Sequence, residues 1–404
     1  MIFEIHSKSA VIMSKSIDGH SNRNHRNVIE LAKELIRVRS ENPPGDQRSI
    51  GDFLESKMKE IGLNVEKYDY EENKPNVLGR LVGEKEKPVL MLNGHVDTVP
   101  VRDAAEWRFA PFEPTESEGK LYGRGAADMK GGLAAMICAA ERIIETGPKL
   151  RGSLLVACVV DEEITGYGTK DILEKGYTAD FAVVCEPNEL QVQTAHKGAL
   201  EFEVLTHGRA AHSSRPRQGI NAIYKMSKVC LALEDYLSEL EKVKHPLVGN
   251  ATISVGIIEG GYKRNVVPDA CRMQAERRVL PGEQWDQVKG DLEKIFQKLR
   301  DEDQDLSLQW KVLLECDASE TPACSPIVQE SVKAVSKVTG KEIEPTGFGA
   351  TCDMRFLVNQ GRIPTVILGP GSVAQAHVEN EYIETQQLVD ATEIYYQVSL
   401  KLLR

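Results

Sequence analysis

The segment Leu154-Leu155-Val156-Ala157-Cys158-Val159-Val160 is an unbroken apolar run that ends at three carboxylates, Asp161-Glu162-Glu163. Such a short run is typical of a strand that is buried on both faces. Similar runs occur at Pro88 to Leu92 and at Phe181 to Val184, and helical spacing covers Lys130 to Ile144. Because buried strands alternate with helices, the sequence predicts an α/β fold with a doubly wound, mostly parallel sheet.

Working outward from this core, helical spacing also runs from Val28 to Gly62, and a second pattern begins near Thr194. That pattern reads strand, helix, strand, strand, helix, strand, over Ala199 to Leu205, Ile220 to Leu240, Ala251 to Ile258, Ala270 to Val279, Trp285 to Leu299 and Leu306 to Leu314. This βαββαβ order predicts a ferredoxin-like unit. We therefore expect one larger domain over residues 26–193 and 317–404, interrupted by an inserted domain over residues 194–316.

Composition excludes several classes of protein. The 404 residues carry a net charge of −11, so the summed field repels nucleic acid and anionic membrane surfaces. No apolar run approaches the roughly 20 residues of a membrane span. Eight cysteines are scattered without a Cys-x-x-Cys pair, which favours reduced thiols and a cytoplasmic location. The first 25 or so residues are interpreted as an extension outside the fold, with Met13 as an alternative start.

Candidate metal ligands and proton carriers follow the predicted strands. They are His95 and Asp97 after the first, Glu162 and Glu163 after the second, Glu186 after the third, and His377 beyond a fourth at Ile363 to Leu368. A further carboxylate, Asp128, lies in a Gly-rich approach to a helix. Because the carboxyl ends of parallel strands meet at one sheet edge, we expect these groups to converge.

Each candidate also has a structural interpretation. Asp128 could simply cap the following helix, and Asp161-Glu162-Glu163 could be a solvated acidic turn. Taken together, two imidazoles and at least three carboxylates suit Zn²⁺, Co²⁺ or Mn²⁺. Three ligand carboxylates would leave two divalent ions with positive charge to acidify a water and polarise a carbonyl. Glu162, next to a ligand, would then be free to transfer a proton.

Five motifs make the chain recognisable. They are Gly94-His95-Val96-Asp97-Thr98-Val99-Pro100, the Gly-rich stretch 123–132, Asp161-Glu162-Glu163, Cys185-Glu186-Pro187 and Gln375-Ala376-His377. Their order and spacing resemble the M20 metallopeptidase family, and within it the acetylornithine deacetylase and succinyl-diaminopimelate desuccinylase branch. The resemblance runs from about Val28 to the end of the chain. Cys352, where desuccinylases usually carry Ser, and the form of the motif around His377 favour the deacetylase.

The resemblance implies a role for each residue of the set. Asp128 would bridge two divalent metal ions, with Zn²⁺ favoured and Co²⁺ or Mn²⁺ as alternatives, and a cis peptide bond would join it to Met129. One ion would take His95 and Glu186, and the other would take Glu163 and His377. Asp97 would orient the ring of His95, and Glu162 would act as general base and acid. The inserted domain would be a lid and dimerisation domain.

The same resemblance makes His212 of the inserted domain an oxyanion-stabilising residue, in many members for the active site of a partner subunit. It makes Asn265, Arg278 and Thr351 substrate-binding positions, where the Arg278 guanidinium suits a carboxylate. His212 could instead be a solvated loop histidine, and Arg278 could pair with acids on the domain surface. We expect a homodimer through the inserted domain.

The predicted activity is therefore removal of an acyl group from a small N-acyl amino acid, in the manner of acetylornithine deacetylase. Alternatives within the family are a desuccinylase, a dipeptidase or a carboxypeptidase. An alternative of another class is a non-catalytic relative that binds a metal or ligand, although such a protein would not need Glu162. A nucleotide site at Gly369 to Ala374 is weakly indicated, because a Pro occupies its tight turn, and a Gly-x-Ser-x-Gly elbow is missing.

Overall fold

The computed structural model describes residues 27–404, so the predicted N-terminal extension and the alternative start at Met13 lie outside the described residues. Helices α1 to α9 of this part of the chain are, in order, 27–37, Arg48–Glu60, Gly131–Thr146, Tyr167–Glu174, Ala222–Leu240, Trp285–Glu302, Pro326–Thr339, Met354–Asn359 and Thr385–Leu403. Strands β1 to β20 are Asn64–Glu71, Lys74–Leu81, Val89–His95, Thr115–Ser117, Lys120–Tyr122, Ser153–Val159, Phe181–Val184, Gln193–His196, Gly198–His207, Ala211–His212, Lys244–His245, Gly249–Asn250, Thr252–Gly260, Val266–Val267, Ala270–Val279, Ser307–Cys316, Ser319–Glu320, Thr346–Phe348, Thr365–Ile367 and Tyr382–Glu384.

Contacts divide the chain into two compact units. The first comprises the described residues up to Thr194, together with Thr321–Thr346 and Cys352–Arg404. The second comprises Ala195–Glu320 together with Gly347–Thr351. The second unit is thus an insertion, and a short later segment of the chain groups with it.

The first unit is built on a sheet whose order begins β1-β2-β6-β3-β7-β19. The four strands β6, β3, β7 and β19 pair in parallel, whereas β1 and β2 extend the sheet antiparallel. Every residue of β3 and of β6 is buried, because helices such as α3 and α9 pack on these strands. The predicted α/β class with a mostly parallel central sheet is confirmed.

The second unit contains β9-α5-β13-β15-α6-β16 along the chain. Its four strands form a sheet in the order β13-β15-β9-β16, and all three pairings are antiparallel. This is the ferredoxin-like arrangement that the βαββαβ order predicts. Phe202, Met273 and Phe296 are fully buried in its own hydrophobic core.

One helical segment differs from the sequence prediction. The apolar spacing from Val28 to Gly62 is helical and marks no boundary, whereas the structure has two helices, α1 and α2, with a turn between them. Pro43 and Pro44 lie in that turn, and a proline cannot donate the backbone hydrogen bond that a helix interior needs. Apolar spacing continues through the break because both helices bury residues in the same core.

Helix length and hydropathy bear on membrane insertion for residues 27–404. None of the helices described there combines the length and the apolar character that crossing a bilayer requires.

Candidate active site

Four neighbouring strands bring the candidate ligands of the first unit together. His95 is the last residue of β3, Glu162 and Glu163 follow β6, Glu186 follows β7, and His377 lies beyond β19. The strands are parallel, so their carboxyl ends lie at one edge of the sheet. Ligands of open α/β sheets bind at such an edge.

Asp128 lies at the centre of the group. Its Oδ1 is 3.0 Å from Nε2 of His95, and its Oδ2 is 3.4 Å from Nε2 of His377. The His377 Nε2 is also 3.0 Å from Oε2 of Glu163, and the His95 Nε2 is 3.7 Å from Oε1 of Glu186. The two carboxylate oxygens of Asp128 therefore face two different imidazoles, each of which has a second carboxylate beside it.

These side chains fit divalent cations by their chemistry and their spacing. Ligand atoms of His95, Asp128 and Glu163 all lie within 4.8 Å of one another, and so do those of His95, Glu162 and Glu186. Imidazole nitrogens and carboxylate oxygens bind Zn²⁺ at about 2.0–2.2 Å, so such spacings surround an ion-sized space. The second group includes Glu162, so a ligand role for this residue is an alternative to its predicted role as proton carrier.

A loop before α3 directs Asp128 into the site. Gly125 adopts a left-handed conformation with φ of 81°, which glycine reaches without a steric penalty. The peptide bond between Asp128 and Met129 is cis, as the family resemblance implies. Asp128 therefore does not act as an ordinary helix cap, because its own backbone is non-helical and its carboxylate points to His95 and His377.

Asp97 contacts the site in a way that the sequence did not predict. The Nδ1 of His95 lies 2.9 Å from the backbone oxygen of Asp97 and 3.6 Å from its carboxylate. The carboxylate also accepts hydrogen bonds of 3.2 Å from the backbone N–H groups of both Glu162 and Glu163. The carbonyl of Asp97 thus orients His95 so that Nε2 faces Asp128 and Glu186, while the carboxylate of Asp97 fixes the two glutamate backbones.

The site brings together four carboxylates, of Asp128, Glu162, Glu163 and Glu186, and only two imidazoles among the candidate ligands. Burial raises the pKa of Glu186 to about 8, and burial together with the nearby Glu186 carboxylate raises the pKa of Glu162 well above its usual range. Hydrogen bonds that His377 donates to the carboxylates of Asp128 and Glu163 raise the pKa of His377 to about 10. The crowded carboxylates repel one another, so a positively charged group among them is stabilised.

Two further residues, missed by sequence reasoning, support the acidic turn after β6. Asp161 is only 2% exposed and has a positive φ of 65°. Its Oδ1 accepts hydrogen bonds from Nδ2 of Asn42 at 2.9 Å and from Nζ of Lys74 at 2.6 Å. The turn is therefore not a solvated acidic turn. No local signal marks Asn42 or Lys74, because both contact the turn only through the fold.

The remaining predicted residues lie in the second unit. His212 is exposed on β10, and the backbone N–H of the next residue, Ser213, donates a 3.1 Å hydrogen bond to the backbone oxygen of Asn265. Nε of Arg278 lies 2.6 Å from Oε1 of Glu276, which is the surface ion pair considered as its alternative role. Thr351 ends the segment Gly347–Thr351. Substrate contact by these residues stays a prediction.

Known proteins resemble this chain over most of its length. The N-formyl-4-amino-5-aminomethyl-2-methylpyrimidine deformylase of Bacillus subtilis (strain 168) is 30% identical over 410 aligned residues, covering 95% of this chain and 95% of the relative. The crystal structure of aminopeptidase PepT from Bacillus cereus ATCC 10987 superposes with a TM-score of 0.78 at 21% identity, covering 93% of this chain and 99% of that one.

A second solved structure, the YXEP protein of Bacillus subtilis, described as a dinuclear metal binding peptidase from the M20 family, has a TM-score of 0.70 at 16% identity and covers 95% of this chain and 99% of its own. At these identities the two structures show likeness of fold alone. Residues 91–401 match the sequence profile of peptidase family M20/M25/M40. Because that match spans most of the chain, this protein belongs to peptidase family M20/M25/M40.

Proposed function

We propose that this protein hydrolyses the amide bond of a small N-acyl compound with two divalent cations, Zn²⁺ being favoured over Co²⁺ or Mn²⁺. The observation that carries the proposal is the placement of Asp128 between His95 and His377, with one carboxylate oxygen facing each imidazole. Glu186 would complete one ligand set and Glu163 the other. When bound, the cations would acidify a water molecule and polarise the scissile carbonyl.

The chain itself would supply the proton transfers. Glu162 is partly buried beside the ligands and is held by the hydrogen bond from its backbone N–H to Asp97. Its carboxylate would accept the proton of the attacking water and return it to the leaving nitrogen, which requires one group to serve as base and then as acid. His212 would donate a hydrogen bond to the carbonyl oxygen as negative charge develops there.

For the substrate, we propose an N-acyl amino acid, with acetylornithine-like compounds as the first class to test. Arg278 would bind the carboxylate of the amino acid after exchanging its contact with Glu276. A specific observation favours a second candidate, an N-formyl aminopyrimidine, because the 30% identical relative is a deformylase of that compound class. Both candidates are amides with a small acyl group, so the chemistry at the cations is the same.

The test is a substrate panel with added Zn²⁺, Co²⁺ or Mn²⁺, comparing N-acetyl, N-formyl and N-succinyl amino acids, N-formyl aminopyrimidines and dipeptides. We expect hydrolysis of at least one small N-acyl compound.

Asp128→Ala should abolish this hydrolysis and lower bound metal roughly tenfold or more, since both ligand sets share its carboxylate. Exposed Asp69→Ala is the matched control and should retain both. An Asp128→Ala protein with full metal content would contradict the bridge, and a wild-type protein that binds metal without turnover would favour the non-catalytic alternative.

We also propose a homodimer formed through the second unit. Within residues 27–404, strand β13 is one of the two edges of its four-stranded sheet, and its Ile257 and Ile258 are exposed. Helix α5, which contacts β13, exposes Tyr224 and Leu231. An unpaired edge with apolar side chains is suited to antiparallel pairing with a second copy, because a twofold axis pairs each edge with itself. A cytoplasmic location is proposed because the eight cysteines form no disulfide with one another.

A further inference from the structure

Glu381 is a buried carboxylate that neither ligand set uses. It directly precedes β20 and is 1% exposed. Ionised carboxylates are almost never fully buried unless they are paired, because removing the charge from water is costly. The hydrogen-bond donors around the Glu381 carboxylate therefore indicate its role.

All four hydrogen bonds of the Glu381 carboxylate come from the loop that carries Asp128. Oε2 accepts from Nη1 of Arg124 at 2.9 Å and from the backbone N–H of Gly125 at 2.9 Å. Oε1 accepts from the backbone N–H of Ala127 at 2.8 Å and from that of Asp128 at 3.0 Å. The backbone oxygen of Glu381 also accepts from the N–H of Gly123 at 3.0 Å.

This arrangement holds the loop at nearly every residue between Gly123 and Asp128. The bonded backbone N–H groups belong to Gly125, whose φ is left-handed, to Ala127 and to Asp128 itself. Arg124, 4% exposed, supplies the only side-chain charge in the set of bonds and stacks its guanidinium 5.0 Å from the Trp107 ring. A shift of the loop would move the Asp128 oxygens away from His95 and His377 together.

We propose that Glu381 is a positioning residue for metal binding. It fixes the Gly123 to Asp128 loop so that one oxygen of Asp128 faces His95 and the other faces His377, the two imidazoles that would each hold one cation. The inference rests on the proposed function, because it assigns Asp128 as the shared ligand. Its distinctive consequence is that one residue outside both ligand sets controls the affinity of both cation positions. Outer residues that orient ligands typically change metal affinity 10–100-fold when they are replaced.

The decisive variant is Glu381→Gln. A glutamine keeps the shape but offers one acceptor oxygen, and its NH₂ group would face two of the N–H donors. We expect Co²⁺ binding, measured by calorimetry on the metal-free full chain, to weaken about 10–100-fold at both positions, and the visible spectrum of bound Co²⁺ to change. Glu384→Gln, an exposed glutamate three residues later, is the matched control and should bind Co²⁺ as the wild type does.

A residue that only stabilises the fold would lower the melting temperature of the metal-free protein and leave the Co²⁺ affinity and spectrum of the folded fraction unchanged, and that result would overturn the proposal. If Glu381→Gln does not fold, Glu381→Asp, which keeps both acceptor oxygens on a shorter side chain, decides by the same readouts. Hydrogen exchange in the metal-free wild type is an independent test, because fast exchange of the Gly125, Ala127 and Asp128 amides would also overturn it. A wild-type protein that binds no Co²⁺ would count against the proposed function, whereas wild-type binding matched by Glu381→Gln would count only against this inference.

Discussion

Glu162 and Glu163 are adjacent and chemically identical, but the fold gives their carboxylates different neighbours. Oε2 of Glu163 is 3.0 Å from Nε2 of His377, and its Oε1 accepts a 3.2 Å hydrogen bond from the backbone N–H of Val99. The carboxylate of Glu162 lies instead near His95 and Glu186. Asp97 holds both backbones, so the difference depends on side-chain direction alone.

For Glu162→Gln we expect metal content to be retained and kcat to fall by about 10²–10⁴-fold, because the amide keeps the shape but cannot carry the proton. Metal analysis and steady-state kinetics measure the two effects. Glu163→Gln is the matched control and should lose metal as well as activity. Loss of metal from Glu162→Gln would assign Glu162 as a ligand, and turnover near the wild-type rate would exclude it as the proton carrier.

At the scale of residues, the sequence predicted which candidate ligands lie close together, but it did not predict the hydrogen bonds that position them. His95, Glu163, Glu186 and His377 could be predicted because each follows an apolar strand, and topology brings such ends together. Glu381 could not, because it lies 253 residues from Asp128 and its role depends on a three-dimensional hydrogen-bond pattern. The contact of the Asp97 carboxylate with two backbone N–H groups was missed for the same reason.

At the scale of elements, the outcome depended on how strongly each segment is buried. Strands β7 at Phe181–Val184 and β15 at Ala270–Val279 match their predicted bounds, since an apolar run or an alternation of buried and more exposed residues leaves little ambiguity. The hairpin of β1 and β2 was missed because β1 is the outer strand of its sheet and only partly buried. Edge strands carry charged and polar residues, so their pattern is weak.

The loop between β5 and α3 should tolerate a methyl group poorly at Gly125. A Cβ there would meet Cγ2 of Thr98 at 2.8 Å and Cδ of Lys130 at 3.0 Å, in addition to the positive φ. We expect Gly125→Ala to lower the free energy of unfolding by about 2–4 kcal/mol and to weaken metal binding. Gly147→Ala, at a positive φ with nothing within 4 Å, isolates the backbone cost and should lose about 1 kcal/mol. Denaturant unfolding measures both variants. An equal loss of unfolding free energy in Gly125→Ala and Gly147→Ala would show that the loop rearranges to accommodate the added methyl group.

At the scale of the whole molecule, a shared fold does not determine the substrate. The chain covers 95% of a deformylase and superposes on an aminopeptidase over 93% of its own length, so one architecture serves different amides. The ligand sets lie within the first unit, whereas His212, Asn265 and Arg278 lie in the second. If the proposed roles hold, substrate selectivity depends on Asn265 and Arg278 of the second unit, and the proposed hydrolysis needs His212 of the second unit as well as the ligand sets of the first.

The proposed dimer and the role of His212 can be tested together by mixing two inactive variants. If His212 acts in the active site of the partner subunit, a mixed dimer of Glu162→Gln and His212→Ala has one site with both Glu162 and His212 intact. Random exchange makes half of the dimers mixed, so we expect about a quarter of the wild-type activity to return. Ile258→Lys on the β13 edge should lower the dimer fraction in analytical ultracentrifugation and should prevent the recovery, because it places a charge in an apolar interface. Each variant assayed alone is the control. If the subunits are shown to exchange and the mixture is no more active than each variant alone, His212 acts within its own chain or has no role in catalysis.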